Sequence, residues 1–138
     1  MNNIYIPSYN RAELVRTYEY LGCGKIVVPQ SQAKEYRKRY GNAVLSIPDN
    51  QDGNIAKKRN AVIDIIKKEQ KDGYGWIIDD DLVSLKRKKE GHSLSGAETL
   101  EMFEGMLNIA KDGDFYYCGF DYSEDCMKLK DMAPISLT

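Results

Sequence analysis

Three consecutive carboxylates, Asp79, Asp80 and Asp81, stand at the end of the apolar run Trp76-Ile77-Ile78. A strand points successive side chains to opposite faces, so this spacing predicts Asp79 and Asp81 on one side and Asp80 on the other. Two short, hard oxygen donors on one side can hold Mg²⁺ or Mn²⁺ and leave coordination positions for phosphate oxygens or water. The plain alternative is a solvated acidic turn, but three acids at an apolar strand end repel one another unless a cation or an arginine lies among them. Arg59 is the natural company. It follows Ile55 by four residues and precedes Val62 by three, on the stripe that Ile55, Val62, Ile63 and Ile66 define. A guanidinium there needs a carboxylate or phosphate partner. Pairing with an aspartate to close the sheet edge and touching a ligand phosphate both stay open.

The elements that must position these groups are legible from punctuation. Ile4-Tyr5-Ile6 meets Pro7, Ile26-Val27-Val28 meets Pro29, and Val44-Leu45-Ser46-Ile47 meets Pro48. Proline cannot donate to a ladder, so each of these runs reads as a strand that stops there. Helical patterns follow. Asn10 with Glu13 resembles a capping box for a stripe of Leu14, Val15, Tyr18 and Leu21 that Gly22 closes. Ser31 is placed to cap a helix with Ala33, Tyr36 and Tyr40 inward and Gly41 at its end. The polar loop from Asp49 to Asn54 precedes the helix that carries Arg59. Strand and helix thus alternate four times with short connections, which predicts an α/β fold: a mostly parallel, twisted sheet flanked by helices. In such sheets ligands collect outside the carboxyl ends of the strands. Beyond the acids, Lys86-Arg87-Lys88-Lys89 reads as a basic loop with Gly91, His92 and Ser93. Ser95 and Glu98 make a capping box for a helix with Leu100, Phe103, Leu107 and Ala110 inward. Phe115 to Phe120 reads as a further strand, and Asp121 to Thr138 carries no clear pattern.

Length and composition bound the answer. At 138 residues the chain suits a single domain, 1–138, and 42% hydrophobic with 30% charged residues is ordinary for a globular protein. No apolar run approaches the roughly eighteen residues of a membrane span. No basic segment followed by an apolar one opens the chain, so no signal peptide and a cytoplasmic location are expected. Cys23, Cys118 and Cys126 are odd in number and lack C-x-x-C spacing, which argues against a disulfide framework or a zinc site. A net charge of -1 gives no global pull toward nucleic acid or membrane.

Three stretches, taken together, resemble a known family. Ile6-Pro7-Ser8-Tyr9-Asn10-Arg11, then Gly53 to Ala56 running into Lys58-Arg59-Asn60, then Ile77-Ile78-Asp79-Asp80-Asp81 are similar in order and spacing to motifs of nucleotide-sugar glycosyltransferases of the GT-A fold, family two type, above all small phage-type glycosyltransferases. The resemblance implies a Rossmann-like GT-A nucleotide-binding half and a divalent-metal-dependent transferase using a nucleotide-activated sugar. It puts Pro7, Tyr9 and Arg11 beside the nucleotide, Arg59 and Asn60 near its diphosphate, Asp79 and Asp80 against ribose or metal, and Asp81 on the Mn²⁺ or Mg²⁺. The acceptor, whether glycan, protein or modified nucleic acid, is left open. Two departures stand out. Gln30-Ser31-Gln32 occupies the place where family members often carry an acid that helps hold the base. The acceptor part and the catalytic carboxylate normally lie well past the D-x-D strand, and here Asp121, Glu124 and Asp125 are the late acids available as general base. The expected domain therefore lacks a complete acceptor-binding part. A nucleotidyltransferase would share the sheet and the acids but prefers a Gly-rich, Lys-bearing phosphate loop after the first strand, which Pro7 to Arg11 is not. A non-catalytic nucleotide-binding or assembly module would keep the fold and lack the base.

Overall fold

The computed structural model describes residues 3–87 and 91–113. They fall into two compact units, one running to Ser84 and one beginning at Leu85.

The first unit is α/β. Strands β1 (Ile4–Pro7), β2 (Lys25–Pro29), β3 (Val44–Ile47) and β4 (Trp76–Ile77) form one sheet in the order β3-β2-β1-β4, with every neighbouring pair parallel. The expected parallel sheet is therefore present, and its strands stop where proline predicts: Pro7 and Pro29 are the last strand residues and Pro48 directly follows β3. Ile6 lies opposite Ile26, and Ile26 opposite Val44. Helix α1 (Arg16–Leu21) links β1 to β2, α2 (Gln30–Tyr40) links β2 to β3, and α3 (Ile55–Glu69) links β3 to β4. The first two crossovers step outward from β1, and the third returns to its far side. Right-handed connections then put α1 and α2 on one face and α3 on the other. Side chains agree. Tyr5, Val27 and Ile47 pack with Ala61, Val62 and Ile66 of α3. Ile4, Ile6, Ile26, Val28 and Val44 are the buried strand residues of the opposite parity. On that face α2 buries Ala33, Tyr36 and Tyr40, as its pattern predicts. A sheet covered on both faces explains why β1 and β2 read as continuous apolar runs.

Three local expectations are corrected. The Asn10–Glu13 box does not form: α1 starts only at Arg16, and Val15 at its N-cap offers no side-chain hydrogen bond. Asn10 takes a positive φ of 53°, and its side chain and backbone N–H are both held by Gln32. Asparagine tolerates that left-handed turn, which ends the helical pattern there and leaves Leu14 half-exposed. Ser31 does not cap α2 either. Pro29 is the N-cap, and the Ser31 backbone N–H donates to Asp49 Oδ1 at 3.0 Å. In α3, Asn54 is the N-cap and its Oδ1 accepts the Lys57 N–H at 2.9 Å. The buried stripe there is Lys58, Ala61, Val62 and Ile66, while Ile55 is 73% exposed and Ile63 is exposed too. The first turn of α3 lines an open cavity, so no described residue covers Ile55.

The second unit begins with an antiparallel pair, β5 (Leu85–Lys86) with β6 (Ser93–Leu94), where a basic loop was expected: Lys86 lies opposite Ser93. Helix α4 (Gly96–Asp112) opens with the predicted capping box, Glu98 N–H to Ser95 Oγ at 3.2 Å and Ser95 N–H to Glu98 Oε2 at 2.8 Å. It buries Phe103, Leu107 and Ala110. The Phe115–Phe120 strand and the stretch from Asp121 lie outside the described residues. Among those described, no helix is long and apolar enough to cross a membrane, and Cys23 is a free thiol.

Candidate active site

β1 is the strand from which the chain departs to both sides, with β2 on one flank and β4 on the other. Where the strand order reverses, the loops at the carboxyl ends part and leave a crevice. A cavity of about 580 Å³ lies at that place, within the usual few hundred to about 1,000 Å³ of small-molecule sites. Its walls are the loop after β1 (Pro7, Ser8, Tyr9, Arg11), the start of α3 with the loop before it (Asp52 to Ile55, Lys58, Arg59), and Asp79, Asp80 and Asp81 beyond β4.

The acids do not continue the strand. Ladder pairing ends at Ile77, Ile78 N–H makes one more bond to the Tyr5 carbonyl at 3.0 Å, and Asp80 and Asp81 lie in a turn. The expected alternation survives as exposure: the Asp79 and Asp81 side chains are 69% and 65% exposed, and that of Asp80 13%. It does not survive as two separate faces, because the turn brings all three to one cavity. Arg59 Nη2 pairs with Asp79 Oδ1 at 3.1 Å. Arg11 Nη1 pairs with Asp80 Oδ1 at 2.9 Å and lies 3.8 Å from Asp81 Oδ2. Ser8 Oγ donates to Asp80 Oδ2 at 2.5 Å.

Arg59 thus has the carboxylate partner that the sequence demands, but it is not the inward cation. That place belongs to Lys58, whose Nζ donates to Asp52 Oδ2 at 2.8 Å and to the Ser8 carbonyl at 2.5 Å; both side chains of this ion pair are under 9% exposed. The signal was available. Lys58 precedes Ala61 and Val62 by three and four residues, the inward spacing of a helix, whereas two of the four residues that define the Arg59 stripe, Ile55 and Ile63, are exposed. Lys58 Nζ also lies 5.7 Å from the centroid of the Tyr9 ring, which is otherwise 56% exposed. Pro7, Tyr9, Arg11, Arg59, Asp79, Asp80 and Asp81 therefore share one crevice. Asn60 does not line it and is exposed on α3. Asp121, Glu124 and Asp125 lie outside the described residues.

Among the described residues, no three of His, Cys, Asp and Glu converge as a ready-made metal cage. The exposed carboxylates of Asp79 and Asp81 are nonetheless the donor type that a hard divalent ion accepts when its other positions go to phosphate or water. Charge points the same way. Three cations, Arg11, Lys58 and Arg59, face four carboxylates, Asp52, Asp79, Asp80 and Asp81, so among the described residues the crevice has no positive charge to spare for an anionic ligand.

A parallel sheet flanked by helices, with a polar crevice at its switch point, defines an α/β protein of Rossmann-like architecture, in which the carboxyl edge of the sheet is the usual place for a small ligand. More particularly, the chain belongs to the TET-associated glycosyltransferase family, whose family model matches residues 2–137. A member of such a family acts on a sugar donor and an acceptor. No curated protein and no solved structure matches the chain.

Proposed function

We propose that the crevice binds a nucleotide-activated sugar together with Mg²⁺ or Mn²⁺, and that residues 3–84 form the donor-binding half of a GT-A-like, metal-dependent glycosyltransferase, similar to small phage-type enzymes of the family two type. The observation that carries this reading is the charge balance at the switch point. A diphosphate is poorly accommodated in a crevice where every cation among the described residues is already matched by a carboxylate, unless further positive charge comes with it. A divalent ion on Asp79 and Asp81 supplies that charge, and when bound it acts as a Lewis acid toward the leaving diphosphate.

The chain's own groups divide the remaining work. Arg11 and Arg59 each hold a carboxylate through one terminal nitrogen, and the planar fork leaves further N–H donors for phosphate oxygens. Tyr9 presents an exposed aromatic face at the rim, suited to a nucleobase. Lys58 is committed to Asp52 and the Ser8 carbonyl, so it shapes the floor and leaves phosphate contact to the arginines. The general base stays with Asp121, Glu124 and Asp125 as candidates.

Calorimetry with a panel of nucleoside diphosphates, with and without Mn²⁺, tests this. Affinity should rise with the metal. Asp81→Asn should lose at least about tenfold of the metal-dependent part, equivalent to about 1.4 kcal/mol. Unchanged metal-dependent affinity in that variant refutes the assignment of Asp81.

A further inference from the structure

Three buried hydroxyls, those of Ser8, Thr17 and Tyr36, hold the acid turn, and of these only Ser8 also lines the crevice. Thr17, fully buried in α1, donates its hydroxyl to the Asp79 carbonyl and accepts the Leu82 N–H at 2.9 Å, while its own backbone N–H donates to the Asp80 carbonyl at 3.3 Å. Ser8, also buried, donates to Asp80 Oδ2. A serine has one O–H, and an ionised carboxylate only accepts, so that proton is spent. The 2.9 Å contact between Tyr36 and Ser8 must then run from the Tyr36 O–H to Ser8 Oγ. The Tyr36 oxygen accepts the Arg11 backbone N–H at 2.8 Å. Burial, the largest influence, raises the Tyr36 phenol above its ordinary value and keeps it the donor this direction needs.

The sheet cannot do this work. β4 contributes two residues to the ladder, and the acids lie past its last backbone bond to β1. The turn is instead tied to α1 through Thr17 and to α2 and the β1 loop through Tyr36 and Ser8. We propose that Ser8, Thr17 and Tyr36 are positioning residues that preset the turn, with Asp80 as its inward anchor and with Asp79 and Asp81 as the carboxylates left to meet the ligand. This rests on the nucleotide and metal reading of the crevice, and it moves Asp80 from the ligand to the frame.

The test uses Mn²⁺ with the nucleoside diphosphate that the unsubstituted chain binds most tightly, measured by calorimetry well below each variant's unfolding temperature. Thr17→Val keeps the shape and removes the hydroxyl, and should weaken binding by about ten- to a hundredfold, the usual cost of losing a group that orients a metal ligand. Thr17→Ser should restore affinity to within about twofold, since the same hydroxyl returns. Ser8→Ala and Asp80→Asn should each weaken binding, and the double variant should be no worse than the worse single one, because both break one link. If Thr17→Val does not fold, Tyr36→Phe, which removes only the terminal donor, carries the test with the same expected direction. Wild-type affinity in Thr17→Val, or in Tyr36→Phe where that variant stands in, overturns the proposal. So do Thr17→Ser binding as weakly as Thr17→Val and fully additive losses for Ser8→Ala and Asp80→Asn, which would put Asp80 on the ligand. If the unsubstituted chain binds no nucleoside diphosphate, the nucleotide reading fails by itself. Exchange of the Leu82 amide then decides the clamp: protection lost in Thr17→Val and kept in Thr17→Ser supports it, and equal protection in all three overturns it.

Discussion

Replacing Lys58 with Met keeps much of the stem's bulk and removes the charge from an ion pair sunk into the cavity floor, where the Lys58 and Asp52 side chains are 8% and 7% exposed and 2.8 Å apart. Asp52 is left as a buried carboxylate without its counter-ion, the Ser8 carbonyl loses its donor, and the Tyr9 ring loses the ammonium beneath it. Breaking a buried pair by deleting one partner costs about 3–5 kcal/mol, most of it the desolvation of the group left behind. Proximity alone does not set this figure. Lys38 and Glu35 are closer, at 2.6 Å, but each is 63% exposed, and such surface pairs are worth about 0–1 kcal/mol. Lys58→Met should therefore remove a large share of a total stability on the order of 5–15 kcal/mol, and Lys38→Met should change it by less than about 0.5 kcal/mol. Adding Asp52→Asn to Lys58→Met should recover part of the loss, because the stranded charge is then gone. Urea denaturation followed by the fluorescence of Trp76, the one tryptophan and a buried one, reads all three variants. A Lys58→Met midpoint equal to wild type, or a double variant less stable than Lys58→Met, would refute the argument that burial makes this pair matter.

Alkaline pH tests the other end of α3, where Tyr5 meets Glu69 and Gln70. Burial and the Glu69 carboxylate push the Tyr5 phenol from 10.0 up to about 12, against the opposing Gln70 hydrogen bond. A folded value above the unfolded one means stability present in full below pH 10.0 and lost as pH rises through about 12; the urea midpoint should fall across that window, and Tyr5→Phe should flatten the fall. Ile55→Ser should change stability by no more than about 0.5 kcal/mol, whereas Ile66→Ala in the same helix should cost about 2–5 kcal/mol; equal losses in a denaturation series would return Ile55 to the core. Ser95→Ala should cost about 1 kcal/mol through the lost cap of α4, read by thermal unfolding followed at a helix-sensitive circular-dichroism wavelength.

Much of the frame could be read from order and punctuation alone. Each proline-ended run is a strand, the crossovers are too long for hairpins, and the parallel sheet follows from that length. The Ser95 capping box formed as written because both of its hydrogen bonds lie within one turn of chain. The Asn10 box and the Ser31 cap do not form because distant groups compete for the same atoms: Gln32 holds Asn10, and Asp49 takes the Ser31 N–H. The reading of Arg59 as the charge on the inward stripe misses by a single helical position, because two of the stripe's residues, Ile55 at the cavity and Ile63, are exposed.

By itself the sequence determined which residue types would reach the sheet's carboxyl edge, since proline and the change from apolar to polar residues mark where strands stop, and the acids begin just past β4 and its last bond at Ile78. Only the tertiary structure decided what each of those residues does there. The strand order β3-β2-β1-β4 puts the crevice beside β1. Ser8 meets Asp80 across 72 positions of chain, and Thr17 meets Asp79 across 62. No local pattern encodes such partners, because a buried polar group takes whichever donor or acceptor the packed chain brings within about 3 Å of it. That is how one of three adjacent aspartates became the anchor of the turn while its two neighbours stayed open to solvent.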